Sequence, residues 1–173
     1  MNYYNEIKKE LINNEVYKQV KDYSKNKSDL TTYYNVGKIL NDAGKHYGKK
    51  IIEEYSSKLM YEVGKKYNKR SLFRMRQFYN MFSNEKLSPL ATLLSWSHYI
   101  ELLSLKDINE IIYYLNISIN QNLSRNDLRN RIKSNEYERL DETTKQKLIK
   151  KDNKFVMEYC SDSRIFRATY ILN

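Results

Sequence analysis

With 173 residues, 40% of them hydrophobic, and a single cysteine, the chain suits one domain, or one domain with an appendage, and holds no intrachain disulfide. Its formal net charge of +10 favours polyanionic partners, and no run of about 18 apolar residues offers a membrane span. The opening Met1-Asn2-Tyr3-Tyr4-Asn5-Glu6 lacks the basic-then-apolar order of a signal peptide, so a cytoplasmic protein without membrane contact is expected. Cys160, His46 and His98 make a poor metal set, and no cofactor is expected.

Four glycines and one proline leave few hairpin turns, while apolar residues recur at spacings of three and four, which predicts an all-α protein. Ile7, Leu11, Asn14, Tyr17 and Val20 mark a first amphipathic helix over about 3–25. Ser28 or Asp29 caps a second, with Tyr33, Val36, Gly37, Leu40 and Ala43 on its inner face and Gly44 as its stop. A third runs over about 49–67 through Ile51, Ile52, Tyr55, Leu59, Met60 and Val63. Asn68 then offers a break and a cap.

The fourth helix, 69–82, carries the strongest functional signal. Between Glu62 and Glu85 there is no acidic residue but six basic ones, Lys65, Lys66, Lys69, Arg70, Arg74 and Arg76, interleaved with aromatic rings. Leu72, Met75, Tyr79 and Phe82 form its inner face, which leaves Arg70, Arg74 and Gln77 at i, i+4 and i+7 on another. Two helices, a short turn and a basic second helix outline a helix-turn-helix unit. Because abundant Asn, Lys, Ile and Tyr match an A+T-rich coding bias, the arginines weigh more than the lysines. Two readings stay open: DNA contact through phosphates and base edges, or a solvated helix face. Lys65 and Lys66 suit phosphates, but they also complement the negative end of the preceding helix.

Beyond Pro89 the pattern gives a short helix at 90–94 and another carrying Tyr99, Ile100, Leu102 and Leu103, capped within Ser95-Trp96-Ser97-His98. Ser104 with Asp107 opens a helix over 105–119, and Ser124 with Asp127 opens one to about 137. The latter carries a secondary basic edge, Arg125, Arg129, Arg131 and Lys133, whose alternative role is ion pairing with Asp127, Glu136 and Glu138. Tyr113 and Tyr114 are an exposed pair suited to a partner surface. His98 lacks a catalytic partner, so capping and packing around Trp96 are expected of it. Residues 141–151 read as a polar helix. The tail 152–173 has no clear period but contains Phe155, Val156, Met157, Ile165, Phe166 and Ile171.

The blocks Tyr34-Asn35-Val36-Gly37-Lys38-Ile39, Tyr47-Gly48-Lys49-Lys50-Ile51, 69–79, Leu94-Ser95-Trp96-Ser97-His98-Tyr99 and Leu128-Arg129-Asn130-Arg131-Ile132 resemble, in order, the N-terminal domain of the YhcG family. In that family a helical N-terminal domain precedes a PD-(D/E)XK nuclease domain. Tyr34, Asn68 and Lys69 depart from its usual residues. The resemblance implies a compact helical domain over 1–140 followed by an extension, 141–173, too short for the nuclease fold. Asp152-Asn153-Lys154 imitates the acidic and lysine pattern without room for its sheet. The expectation is a DNA-binding or targeting module with no catalytic residues of its own. The alternative is a protein-interaction or dimerisation module, forming a homodimer or docking a separate nuclease subunit.

Overall fold

The computed structural model describes residues 2–20, 25–48, 50–83, 91 and 93–148. These residues contain helices and turns and no strand, as the spacing predicts: α1 (Tyr3–Val20), α2 (Lys25–Tyr47), α3 (Ile51–Glu62), α4 (Lys69–Phe82), α5 (Trp96–Leu102), α6 (Ile108–Asn120) and α7 (Arg125–Lys133), with a further helical stretch at 142–148. Two compact units divide them, α1–α4 and α5–α7. No helix among the described residues is long and apolar enough to cross a membrane.

In the first unit α2 packs against α1, α3 and α4. Its Leu30, Tyr33, Val36, Leu40 and Ala43 recur at helical spacing and are buried against Ile7 and Leu11 of α1, Ile52 and Leu59 of α3 and Leu72, Met75, Phe78 and Phe82 of α4. The buried Asn14 donates from Nδ2 to Oδ1 of Asp29 at 2.8 Å, so a polar group on the inner face of α1 is satisfied by α2. Asp29 therefore serves helix pairing instead of capping, because α2 already begins at Lys25. Gly44 does not stop α2 either. The helix ends at Tyr47, where Gly48 takes φ +78° and its amide reaches the Gly44 carbonyl at 3.1 Å.

Helix α3 is shorter than its pattern, since the amides of Val63 and Gly64 both turn back to the Leu59 carbonyl and release the chain into the connection 63–68. Asn68 then caps α4 as expected, its side chain accepting from the Ser71 amide at 3.1 Å. Within α4 it is Phe78, not Tyr79, that is fully buried; Tyr79 is half-buried and meets Tyr34 edge-on at 5.1 Å.

In the second unit Asp107 caps α6 by accepting from the amides of Asn109 and Glu110, while Ser104 donates back to the Glu101 carbonyl. Helix α7 stops at Lys133 because Asn135 enters the left-handed region at φ 50° and the Glu136 amide closes on the Arg131 carbonyl. Tyr113 and Tyr114 are buried, contrary to the exposed pair expected. Tyr114 donates to the Arg131 carbonyl and accepts from the Tyr137 amide, and Tyr113 donates to Glu136. Ala91, Leu93 and Leu94 lie in turn and bend, so the described part of the expected 90–94 helix is not helical. Ser28 does not cap α2 either, since it lies inside the helix, while the side chains of Tyr17 and Val20, Cys160 and the whole 152–173 tail lie outside what is described.

Candidate nucleic-acid interface

The outward face of α4 is positioned by what lies under it. Leu72, Met75, Phe78 and Phe82 fix the buried side, and a 100° step per residue places Lys69, Arg70, Phe73, Gln77 and Asn80 opposite, with Arg74 and Arg76 on the two flanks. Lys69, Arg70, Gln77 and Asn80 are exposed, and Phe73, Arg74 and Arg76 are half-buried.

The basic residues divide by electrostatic role. In the connection, Lys66 donates to Glu15 Oε1 of α1 at 2.5 Å and lies 5.1 Å from the centre of the Tyr67 ring, while Lys65 is exposed. The same Glu15 oxygen accepts from the hydroxyl of buried Tyr67 at 2.6 Å; burial first, then this bond, pushes the Tyr67 hydroxyl pKa up. Lys69 pairs with Glu53 of α3, and that hydrogen bond holds the Glu53 carboxyl below its ordinary range. Tyr4 and Lys8 of α1 both reach Glu62 at the end of α3, at 2.7 and 2.5 Å. Lys66 and Lys69 thus spend charge on fixing the connection and the start of α4, whereas Arg70 has no hydrogen bond or ion pair among the described residues.

The first turn of α4 contains Lys69 and Arg70 and no acid. This opposes the helix dipole, whose positive end favours carboxylates by about 0.3–1 kcal/mol. For Lys69 the Glu53 carboxylate offsets this, which leaves Arg70 as the cation whose position there has no compensating acid among the described residues. Next along the helix, Lys69 Nζ and the Arg76 guanidinium lie 6.0 and 5.2 Å from the centre of the Phe73 ring.

The secondary basic edge is differently placed. Arg125 and Arg129 of α7 converge on Glu101 of α5: Arg125 Nε donates to Oε1 at 2.7 Å, and Arg129 grips both oxygens at 2.8 and 3.0 Å. The Arg129 hydrogen bond, aided by Arg125 and opposed by desolvation, holds the Glu101 carboxyl at about 2. Arg131 donates to Glu136 and Gln121, and Lys133 is exposed. Asp127 is engaged by its own cap, Ser124, instead of by an arginine.

A family model described as the DUF1016 N-terminal domain matches residues 6–139, most of the chain. The chain belongs to this family. No curated protein and no solved structure matches it. The DUF1016 N-terminal match covers most of α1 and all of α2 to α7, so it draws on both compact units.

In this DUF1016 N-terminal domain His98 is a structural residue. The Leu123 carbonyl can only accept, so Nε2 carries the proton of that 2.9 Å bond, and in the neutral ring Nδ1 accepts from the Ser95 hydroxyl at 2.7 Å. Both ring nitrogens are therefore committed to holding the start of α5 against the end of α6. Phe73 stands opposite the buried face of α4, a position and a role that the sequence reading did not assign it. Tyr61, 93% exposed on α3, was likewise missed, because an aromatic residue beside Met60 and Val63 reads as part of the core.

Proposed function

We propose that the α4 face of this DUF1016 N-terminal domain binds nucleic acid, with α3, the connection 63–68 and α4 acting as a helix-turn-helix-like unit. In this reading the chain is the targeting module of a YhcG-type nuclease system, and phosphodiester cleavage belongs to a PD-(D/E)XK domain or subunit. The observation that carries the reading is the acid-free, dipole-opposing first turn of α4 beside Arg70, whose side chain has no hydrogen bond or ion pair among the described residues. Phosphate oxygens supply the missing negative charge there, so the energetic penalty of the free domain is relieved on binding. Arg70 and Lys65 meet phosphates, and Arg74, Arg76 and Gln77 lie within the same helix face or its flanks. Arg125 and Arg129 contribute less, since moving them to phosphate abandons Glu101.

Fluorescence anisotropy at low salt with labelled duplex and single-stranded DNA tests this. Binding is expected to weaken steeply as salt rises, with log K falling linearly in log salt. The Arg70→Glu/Arg76→Glu variant is expected to lose at least about tenfold in affinity, since each phosphate contact is charge-assisted. No binding to either probe, or binding indifferent to these substitutions, overturns the assignment.

A second reading, docking onto a partner protein or a second copy, is favoured by Tyr61 at 93% and Tyr47 at 60% exposure, since exposed aromatic rings are typical of interface centres. Sedimentation showing a clean monomer, unchanged by added nuclease subunit, removes it.

A further inference from the structure

Resting on the nucleic-acid reading of α4, we infer that this face recognises DNA where the base stack is interrupted, and that Phe73 stacks on the unpaired base there. Phe73 lies opposite the buried Leu72, Met75, Phe78 and Phe82, near the middle of the outward face, where core packing has no use for an aromatic ring. It is nevertheless half-buried, because Lys69 and Arg76 lie against it. Lys69, also paired with Glu53, lies at the 6 Å limit of a cation–π contact, and the Arg76 guanidinium lies inside it at 5.2 Å. Phosphates beside a target base compete for Arg76 first, and for Lys69 only against its Glu53 pair, and the side chains' turning toward phosphate uncovers the ring. A base then replaces the cations on the aromatic face, and stacking is the stronger contact, about 5- to 150-fold in affinity per base.

An intact duplex offers no such base, because its rings are already stacked; taking one out carries a cost that is least where pairing is already broken. Arg70 and Gln77 flank Phe73 on the same exposed face, so phosphate and base-edge contacts remain possible beside the stacked ring. The ligand class is therefore DNA with an unpaired or gapped nucleotide, in preference to uninterrupted duplex.

The test compares an intact duplex with the same duplex carrying an unpaired 2-aminopurine. The wild-type domain is expected to bind the interrupted probe about tenfold or more tightly and to change its fluorescence on stacking. Phe73→Ala is expected to erase that preference while leaving intact-duplex affinity within about twofold, and Phe73→Trp to restore it. Phe73→Leu keeps the apolar bulk without the ring, so it guards against misfolding of the alanine variant; it too is expected to lose the preference. Equal wild-type binding to both probes, or a preference surviving Phe73→Leu, overturns the inference and leaves the broader reading standing. Equal loss from both probes assigns Phe73 to a groove contact, such as a thymine methyl, and overturns it as well. No binding to any probe sinks both readings.

Discussion

Gly37 brings the backbone of α2 against the carbonyl oxygen of Met75 in α4: a Cβ added at Gly37 would lie 2.1 Å from that oxygen and 2.8 Å from the Tyr79 Cβ. In an open helix Gly→Ala stabilises by about 1 kcal/mol. Here the clash is with backbone, which cannot swing aside, so Gly37→Ala is expected to destabilise by about 2 kcal/mol or more and to push α4 off its seat. Gly44 is the control on the same helix, since its added Cβ meets only Arg76 Nη1 at 3.5 Å. Gly44→Ala is expected to stabilise by about 0.5–1 kcal/mol. Urea unfolding of the two variants gives opposite signs if the crossing is as close as described.

Glu15 ties α1 to the residues that precede α4. Truncating it leaves the buried Tyr67 hydroxyl and Lys66 without this acceptor. Glu15→Ala is expected to cost about 1–3 kcal/mol, whereas Tyr67→Phe, which removes the donor with little change of shape, costs less. Hydrogen exchange at the Ser71 and Leu72 amides is expected to speed up in Glu15→Ala. Unchanged protection there would show that α4's start does not depend on the tether.

Glu101 links α5 and α7 electrostatically. Its carboxyl is held at about 2 against an ordinary 4.5, so the folded state binds the proton less readily than the unfolded one. The stabilisation is therefore complete above about pH 4.5 and lost as pH falls toward about 2. Allowing for solvent screening, roughly 1–2 kcal/mol is at stake. The stability difference between wild type and Glu101→Gln, measured by urea unfolding across that window, is expected to shrink with acid. A difference independent of pH contradicts the ion-pair origin.

Arg70→Glu separates stability from binding. It places a carboxylate in the first turn of α4, where the dipole favours it, so a gain of about 0.3–1 kcal/mol is expected. The same change repels phosphate, so nucleic-acid affinity is expected to drop at least about tenfold. A variant that melts higher yet binds worse identifies Arg70 as a residue kept for a ligand; one that loses both would make it structural.

The helices and the α4 cap were legible because they depend on local spacing and on Asn68 accepting from a residue three positions on. Several boundaries were not. Gly44 reads as a stop but sits on a continuing helix, and Asn135 ends α7 through a left-handed turn that apolar periodicity does not register. The division of the basic block was also hidden. Lys66 meets Glu15 and Arg129 meets Glu101 across 51 and 28 positions, so which cations are occupied depends on tertiary packing. Tyr113 and Tyr114 read as a surface pair because adjacent residues on a helix rarely bury together. The Tyr113 hydroxyl finds Glu136 in the turn after α7, and the Tyr114 hydroxyl finds the Arg131 carbonyl of α7 and the Tyr137 amide beyond it, which no helical template anticipates.

The shortness of the exposed strip on α4 sets an informational limit. Arg70 and Gln77 are about 10 Å apart along the axis at 1.5 Å per residue. DNA rises about 3.4 Å per base pair, so that span corresponds to about three base pairs. A word of that length recurs throughout any genome. On the proposed reading, selectivity for sequence, as distinct from the preference for an interrupted stack, then requires more than one engagement at once, which makes effective concentration, through a second copy or a tethered companion, the quantity that sets the address.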